Sequence, residues 1–147
     1  MQGLTFNEFQ IGQKFVSHRI TVTDAHIVIF AGLSGDFNPL HVDEEFAKKT
    51  IFKGRIAHGL LTLSLISGSM GMLVAGTAIA FLGMNVRFLS PVKVGDTIYA
   101  EATVKDKVRK EKYEGGVVTF SFEVKNQREE KVVEGEFSLL ISEKKLY

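Results

Sequence analysis

The second half of the chain alternates between apolar and polar positions. Ile98, Ala100, Ala102 and Val104 are interleaved with Tyr99, Glu101, Thr103 and Lys105, and Val118, Phe120, Phe122 and Val124 with Thr119, Ser121, Glu123 and Lys125. A period of two marks strands with one buried face. Glu114-Gly115-Gly116 supplies a turn between them, and the polar Gln127-Arg128-Glu129-Glu130 precedes a last strand from Lys131 to Ser142. Phe15 to Thr21 reads as a first strand and Ala80 to Phe88 as another. The sum is an antiparallel sheet of about five or six strands.

The first half has the rhythm of helices. Thr23 or Asp24 can cap a short helix that carries Ile27, Phe30 and Ala31 on one face. Asp43 can cap another running through Lys49, with Glu44 and Glu45 early and Lys48 and Lys49 late, as the helix dipole favours. Between Gly59 and Val86 no charged residue occurs. Its first part, Gly59 to Ala75, is apolar on all sides and is expected as a helix buried all round. A break near Gly76-Thr77 separates it from a strand expected to be buried too. The stretch is long enough to span a bilayer. Gly68, Gly71, Gly76 and Gly83, several hydroxyl residues and the break favour a protein core instead, so no membrane is expected. The pattern as a whole is α+β, a sheet wrapped around one long central buried helix.

Composition adds bounds rather than a function. At 147 residues the chain is expected to form a single domain, 1–147, with no linker, repeat or low-complexity tract. Its hydrophobic share of 45% and charged share of 24% are those of an ordinary globular protein. A net charge of +1 gives no drive towards nucleic acid or an anionic membrane. The absence of cysteine removes disulfides, thiol nucleophiles and cysteine-held metal or cluster sites, and is compatible with a cytoplasmic location. The first residues lack the basic-then-apolar order of a signal peptide.

The chemistry concentrates in Gly35-Asp36-Phe37-Asn38-Pro39-Leu40-His41. Pro39 removes a backbone donor and pushes Asn38 towards an extended conformation, while Gly35 permits backbone geometry closed to other residues. A rigid turn rather than a regular helix is therefore expected, presenting a carboxylate and an imidazole. Either group alone is open to a bland reading, Asp36 as a turn residue bonding its own backbone and His41 as a structural histidine. Held together on one loop, they are the pair that general acid–base chemistry needs. Ala57-His58-Gly59 then opens the apolar helix, where the N–H of Gly59 is a natural donor to a negative oxygen.

Ser34-Gly35-Asp36-Phe37-Asn38-Pro39-Leu40-His41, then Ala47, then Ala57-His58-Gly59, resembles the signature of the MaoC-like, (R)-specific enoyl-CoA hydratases. Phe9-Gln10-Ile11-Gly12-Gln13-Lys14-Phe15 is similar to that family's entry strand. Val86-Arg87-Phe88-Leu89-Ser90-Pro91-Val92-Lys93-Val94-Gly95-Asp96 is similar to its strand-and-turn segment. The resemblance implies a hotdog fold, a homodimer or higher homo-oligomer, and reversible addition of water to a trans-2-enoyl-CoA, giving a 3-hydroxyacyl-CoA. Asp36 and His41 would grip and deprotonate a water and return a proton to the α carbon. Gly59 would hold the enolate oxygen. Ser67 aligns with a serine that the family places beside the active site, although a mid-helix serine often just bonds the preceding turn. Asn38 can orient Asp36 or the water, or simply suit a pre-proline turn. His58 is open to three readings: a second donor, a helix cap or a packed ring. No cofactor and no metal are expected, since the four histidines show no close ligand pairing in sequence.

The substrate class implied is an acyl-CoA thioester or the same acyl group on acyl carrier protein. Lys105, Lys107, Arg109, Lys110 and Lys112 form one basic run that can meet the phosphates of coenzyme A, and Lys48, Lys49, Lys53 and Arg55 another. A hotdog thioesterase is the competing enzyme class, and a non-catalytic acyl-thioester binder the competing non-enzyme.

Overall fold

The two alternating segments form the centre of the sheet. In this computed structural model, which describes residues 3–147, they are β4 (Thr97–Lys110) and β5 (Gly115–Lys125), paired antiparallel with Ala100 opposite Val124 and Ala102 opposite Phe122. With β1 (Lys14–Val16), β2 (Ile20–Thr21), β3 (Ala78–Phe88) and β6 (Lys131–Ser142) the sheet has the order β1-β4-β5-β6-β3, and β2 also pairs with β4. Every pairing is antiparallel. The apolar members of both alternating sets are buried, as their period requires. On the opposite face, ion pairs tie neighbouring strands: Lys125 to Glu101 at 3.0 Å and Lys131 to Glu123 at 2.6 Å.

The helices are α1 (Asp24–Ser34), α2 (Pro39–Val42), α3 (Glu44–Ala47) and α4 (Gly59–Met72). Thr23 caps α1 in reciprocal fashion with His26, and the Asp43 carboxylate caps α3 by accepting the Phe46 N–H at 2.9 Å. α4 lies against the sheet, and its Leu61 and Ile66 join Val104, Phe120, Phe122, Phe137 and Ile141 in one core.

Several boundaries differ from the sequence expectation for local reasons. The first strand is two short ones, because the Ser17 hydroxyl accepts the Ala100 N–H at 2.8 Å and donates to the His18 carbonyl, interrupting the ladder. The helix begun at Asp43 stops at Ala47 rather than Lys49, where the Thr50 hydroxyl takes the Ala47 carbonyl at 2.7 Å. The long apolar helix ends at Met72, three residues early, and it is not buried all round. A sheet covers one side of a helix, so Leu61, Thr62 and Ile66 are buried while Leu60 is 65% and Met72 51% exposed. The expected buried strand, β3, lies at the edge of the sheet, with Phe81, Leu82 and Met84 exposed.

Candidate active site

A run of side chains folded back on their own backbone shapes the Gly35–His41 segment. α1 ends at Gly35, whose left-handed φ of 77° needs a residue without Cβ, and whose N–H reaches the Ala31 carbonyl at 2.9 Å. The Ser34 hydroxyl donates to the Phe30 carbonyl and accepts the Asp36 N–H at 3.2 Å. Asp36 Oδ1 accepts the Asn38 N–H at 3.2 Å, and Asn38 Oδ1 accepts the Leu40 N–H at 3.0 Å. These Asx-type contacts fix the loop residue by residue. Pro39 does not break a helix here but starts one. At the first helical position its missing N–H costs nothing, so His41 sits on the single turn of α2 and only Asp36 lies on the loop. Asn38 is thereby the cap of α2, which is the turn reading of its side chain.

The His41 ring is held by a peptide group. Its Nδ1 lies 2.8 Å from the Ile56 carbonyl oxygen, and the Ile56 N–H in turn reaches the Leu40 carbonyl at 3.3 Å. A carbonyl only accepts, so Nδ1 carries the hydrogen and the Nε2 lone pair is left free. That Nε2 is 4.0 Å from Asp36 Oδ2, too long for a direct hydrogen bond. The two carboxylate oxygens of Asp36 divide the labour, Oδ1 closing the turn and Oδ2 facing the imidazole. The His41 side chain is 12% exposed and that of Asp36 51%.

Arg55, next to Ile56, anchors this arrangement. Its guanidinium donates to Asp24 at the start of α1 (2.6 Å) and to Glu44 at the start of α3 (3.1 Å). The bond to Asp24 first, with that to Glu44 after it, raises the Arg55 pKa above its ordinary value. The Ala57 N–H completes the tether on the Val92 carbonyl at 2.7 Å.

Gly59 is the first residue of α4, so its N–H has no acceptor within the helix. Gly59 and His41 line one cavity of about 520 Å³, together with Phe52, Leu60, Phe88 and Pro91. A Cβ at Gly59 would stand 2.8 Å from the Phe88 ring. Ser67 is elsewhere. Eight residues along α4 from Gly59, about 12 Å by helical rise, it donates to the Ser64 carbonyl at 2.8 Å and lines a second, apolar cavity of about 370 Å³ with Leu63, Ile66, Met70 and Phe81. The resemblance implied a place for Ser67 beside the active site; in the single chain it lines a different cavity from His41 and Gly59.

His58 does not cap α4 with its side chain. It is 3% exposed, and its Nε2 lies 3.0 Å from the main-chain oxygen of Asp36. Its ring stacks on that of His41, centroids 3.8 Å apart and planes inclined by 28°. Spacing in sequence hid this pairing, since the two histidines are joined only through the fold. The role of the Ile56 carbonyl was equally invisible, because a main-chain oxygen leaves no trace in residue type.

Asp36, His41 and His58 each offer a ligand atom, all within 4.8 Å of one another. They do not suit a metal ion. Zinc–nitrogen bonds of about 2.0–2.1 Å lie in the imidazole plane, and two stacked rings so nearly parallel do not converge on a point at that distance. The basic runs are also largely engaged: Lys105 pairs with Glu136, Arg109 with Glu143 at 2.7 Å, Lys107 donates to the Phe9 carbonyl, and Lys48 pairs with Glu45 at 2.9 Å. Among the described residues of these runs, Lys49, Lys53, Lys107, Lys110 and Lys112 make no ion pair. No helix among the described residues is long and apolar enough to cross a membrane.

An antiparallel sheet laid over one long helix is the hotdog fold. The chain belongs to the MaoC-like domain family, whose model, described as "MaoC like domain", matches residues 7–127. It is 39% identical over 108 residues to an (R)-specific enoyl-CoA hydratase of Rhodospirillum rubrum, an alignment covering 74% of each chain. A solved Archaeoglobus structure, described as a monoamine oxidase regulatory protein, is 44% identical with a TM-score of 0.89, covering 98% of this chain and 97% of that one. The unliganded R-hydratase PhaJ1 of Pseudomonas aeruginosa is 35% identical with a TM-score of 0.84, covering 97% and 88%.

Proposed function

We propose that this chain is an (R)-specific enoyl-CoA hydratase, equally a 3-hydroxyacyl-CoA dehydratase in the reverse direction, and that Asp36, His41 and Gly59 carry the reaction. The observation that carries the chemistry is the imidazole whose Nδ1–H is committed to the Ile56 carbonyl, leaving Nε2 free 4.0 Å from a carboxylate oxygen. That gap is too long for a direct bond but accommodates one water hydrogen-bonded to both groups. The pair takes a proton from this water as its oxygen bonds to the β carbon. It then returns a proton to the α carbon, so that water is added and no group leaves. The electrons of the double bond move onto the thioester oxygen in between, and the Gly59 N–H at the start of α4 receives that charge. The (R) outcome is that of the (R)-specific hydratases the chain resembles. Lys53, which follows Phe52 of the cavity wall and makes no ion pair, is the cation we assign to the phosphates of coenzyme A.

The test is loss of enoyl-thioester absorbance with crotonyl-CoA beside a free-thiol assay. Absorbance loss without thiol release is expected. Thiol release would move the protein to the thioesterases, and turnover confined to the acyl-carrier-protein thioester would change the carrier.

The working unit in this proposal is a homodimer joined through β3. This edge strand is 11 residues long, has no charge before Arg87, and exposes Phe81, Leu82 and Met84. An apolar edge of that length without charge or proline is a template for another strand. Pairing with the β3 of a second copy would continue the sheet and help cover the exposed side of α4. Sedimentation at twice the chain mass is expected, with Leu82→Lys shifting it to the monomer. A monomeric wild type would sink the dimer.

A further inference from the structure

We infer that His58 is a positioning residue that holds both members of the Asp36–His41 pair with one ring. The inference rests on the hydratase reading above and adds a residue to it. Three contacts converge on this imidazole. Its Nε2–H donates to the Asp36 main-chain oxygen at 3.0 Å, which fixes the backbone from which the carboxylate springs. Its face lies on the His41 ring at 3.8 Å, which fixes the plane in which the His41 lone pair points. Phe30 of α1 packs on the same ring, centroids 4.9 Å apart and planes inclined by 56°.

The remaining nitrogen shows that packing is not the whole reason for a histidine here. His58 Nδ1 is buried and has no hydrogen-bond partner. A buried polar atom without a partner costs stability, and an apolar side chain would avoid that cost. The donor on Nε2 is what the apolar side chain could not supply. A residue touching the acid through its main chain and the base through its ring acts on geometry. His41, Gly59 and Leu60 line the cavity, and His58 is not one of its walls.

The two contacts can be separated by substitution. Gln carries an amide N–H to about the place of Nε2 but has no ring; Phe keeps a ring but has no donor; Asn is too short to reach the Asp36 oxygen and has no ring. His58→Asn is expected to lower kcat by about ten- to a hundredfold, the scale on which small misplacements act, with KM within about twofold. His58→Gln and His58→Phe are expected to fall between Asn and wild type, each restoring one contact. Nitrogen-15 spectra of the imidazoles give a readout that does not depend on turnover. Wild type should show His41 as a fixed Nδ1–H tautomer on the Ile56 carbonyl, and His58→Asn should show it averaged, because a ring without its stacking partner swings off that carbonyl. Wild-type kcat in His58→Asn, a loss matching only the unfolded fraction in a thermal melt, or an unchanged His41 signal would each overturn the positioning role. If the wild type itself hydrates no enoyl thioester, the hydratase reading fails, and the nitrogen spectra alone still decide whether His58 holds His41.

Discussion

Asp36→Asn and His41→Asn are each expected to lower kcat for crotonyl-CoA hydration by about a hundred- to ten-thousandfold, the range of positioned acid–base assistance, while the protein keeps its fold. The variants follow from the hydrogen bonds. In Asp36→Asn the side-chain oxygen that closes the turn on the Asn38 N–H survives, and only the negative charge towards His41 is lost. In His41→Asn the amide N–H takes the place of Nδ1–H and can still donate to the Ile56 carbonyl, whereas Nε2 disappears. His41→Ala is the less informative change, because it also leaves the Ile56 oxygen unpaired at a cost of about 1–3 kcal/mol. Initial rates read beside thermal melts separate the two effects. Either Asn variant turning over at the wild-type rate would remove that residue from the mechanism.

The Gly59 donor carries the second large expected effect. Gly59→Pro deletes the N–H at a helix position that proline favours, and the extended ψ of 140° at His58 is what a residue before proline adopts. Helix entry is therefore compatible with the change. A side chain at this position does press on Phe88, 2.8 Å from the new Cβ. Gly59→Ala brings the same pressure and keeps the N–H, which makes it the matched control. kcat of Gly59→Pro is expected about a hundred- to a thousandfold below that of Gly59→Ala, the usual loss for one donor to an oxyanion. Equal rates in the two variants would leave the enolate oxygen to another donor.

The strands were legible because their signal is local. A buried face repeats every two residues, and β6 runs from Lys131 to Ser142 as its pattern indicates. Burial of α4 and β3 was misjudged for a related reason. Apolar composition does not say which side of an element a neighbour covers, and Leu60, Met72, Phe81 and Leu82 stand exposed on this chain. The first strand was misread because Ser17 substitutes its hydroxyl for a ladder contact, a choice that residue type does not announce.

At the site, the loop chemistry of Gly35, Asp36, Asn38 and Pro39 was readable from turn preferences, and the pairing of Asp36 with His41 followed from their proximity in sequence. What stayed hidden was long-range. His58 and His41 are brought face to face by the return of the chain through Arg55 and Ile56, and Ser67 is carried away by the rise of α4.

The grip of the Ile56 peptide on His41 has a bearing on how such a site is inherited. The atom that sets the tautomer belongs to the backbone, so exchange of the Ile56 side chain leaves the oxygen in place, and drift among apolar residues there is silent for the chemistry. Loss of activity along a lineage should therefore be written at the residues that own their reactive atoms, 36 and 41, and not at the residue that instructs one of them.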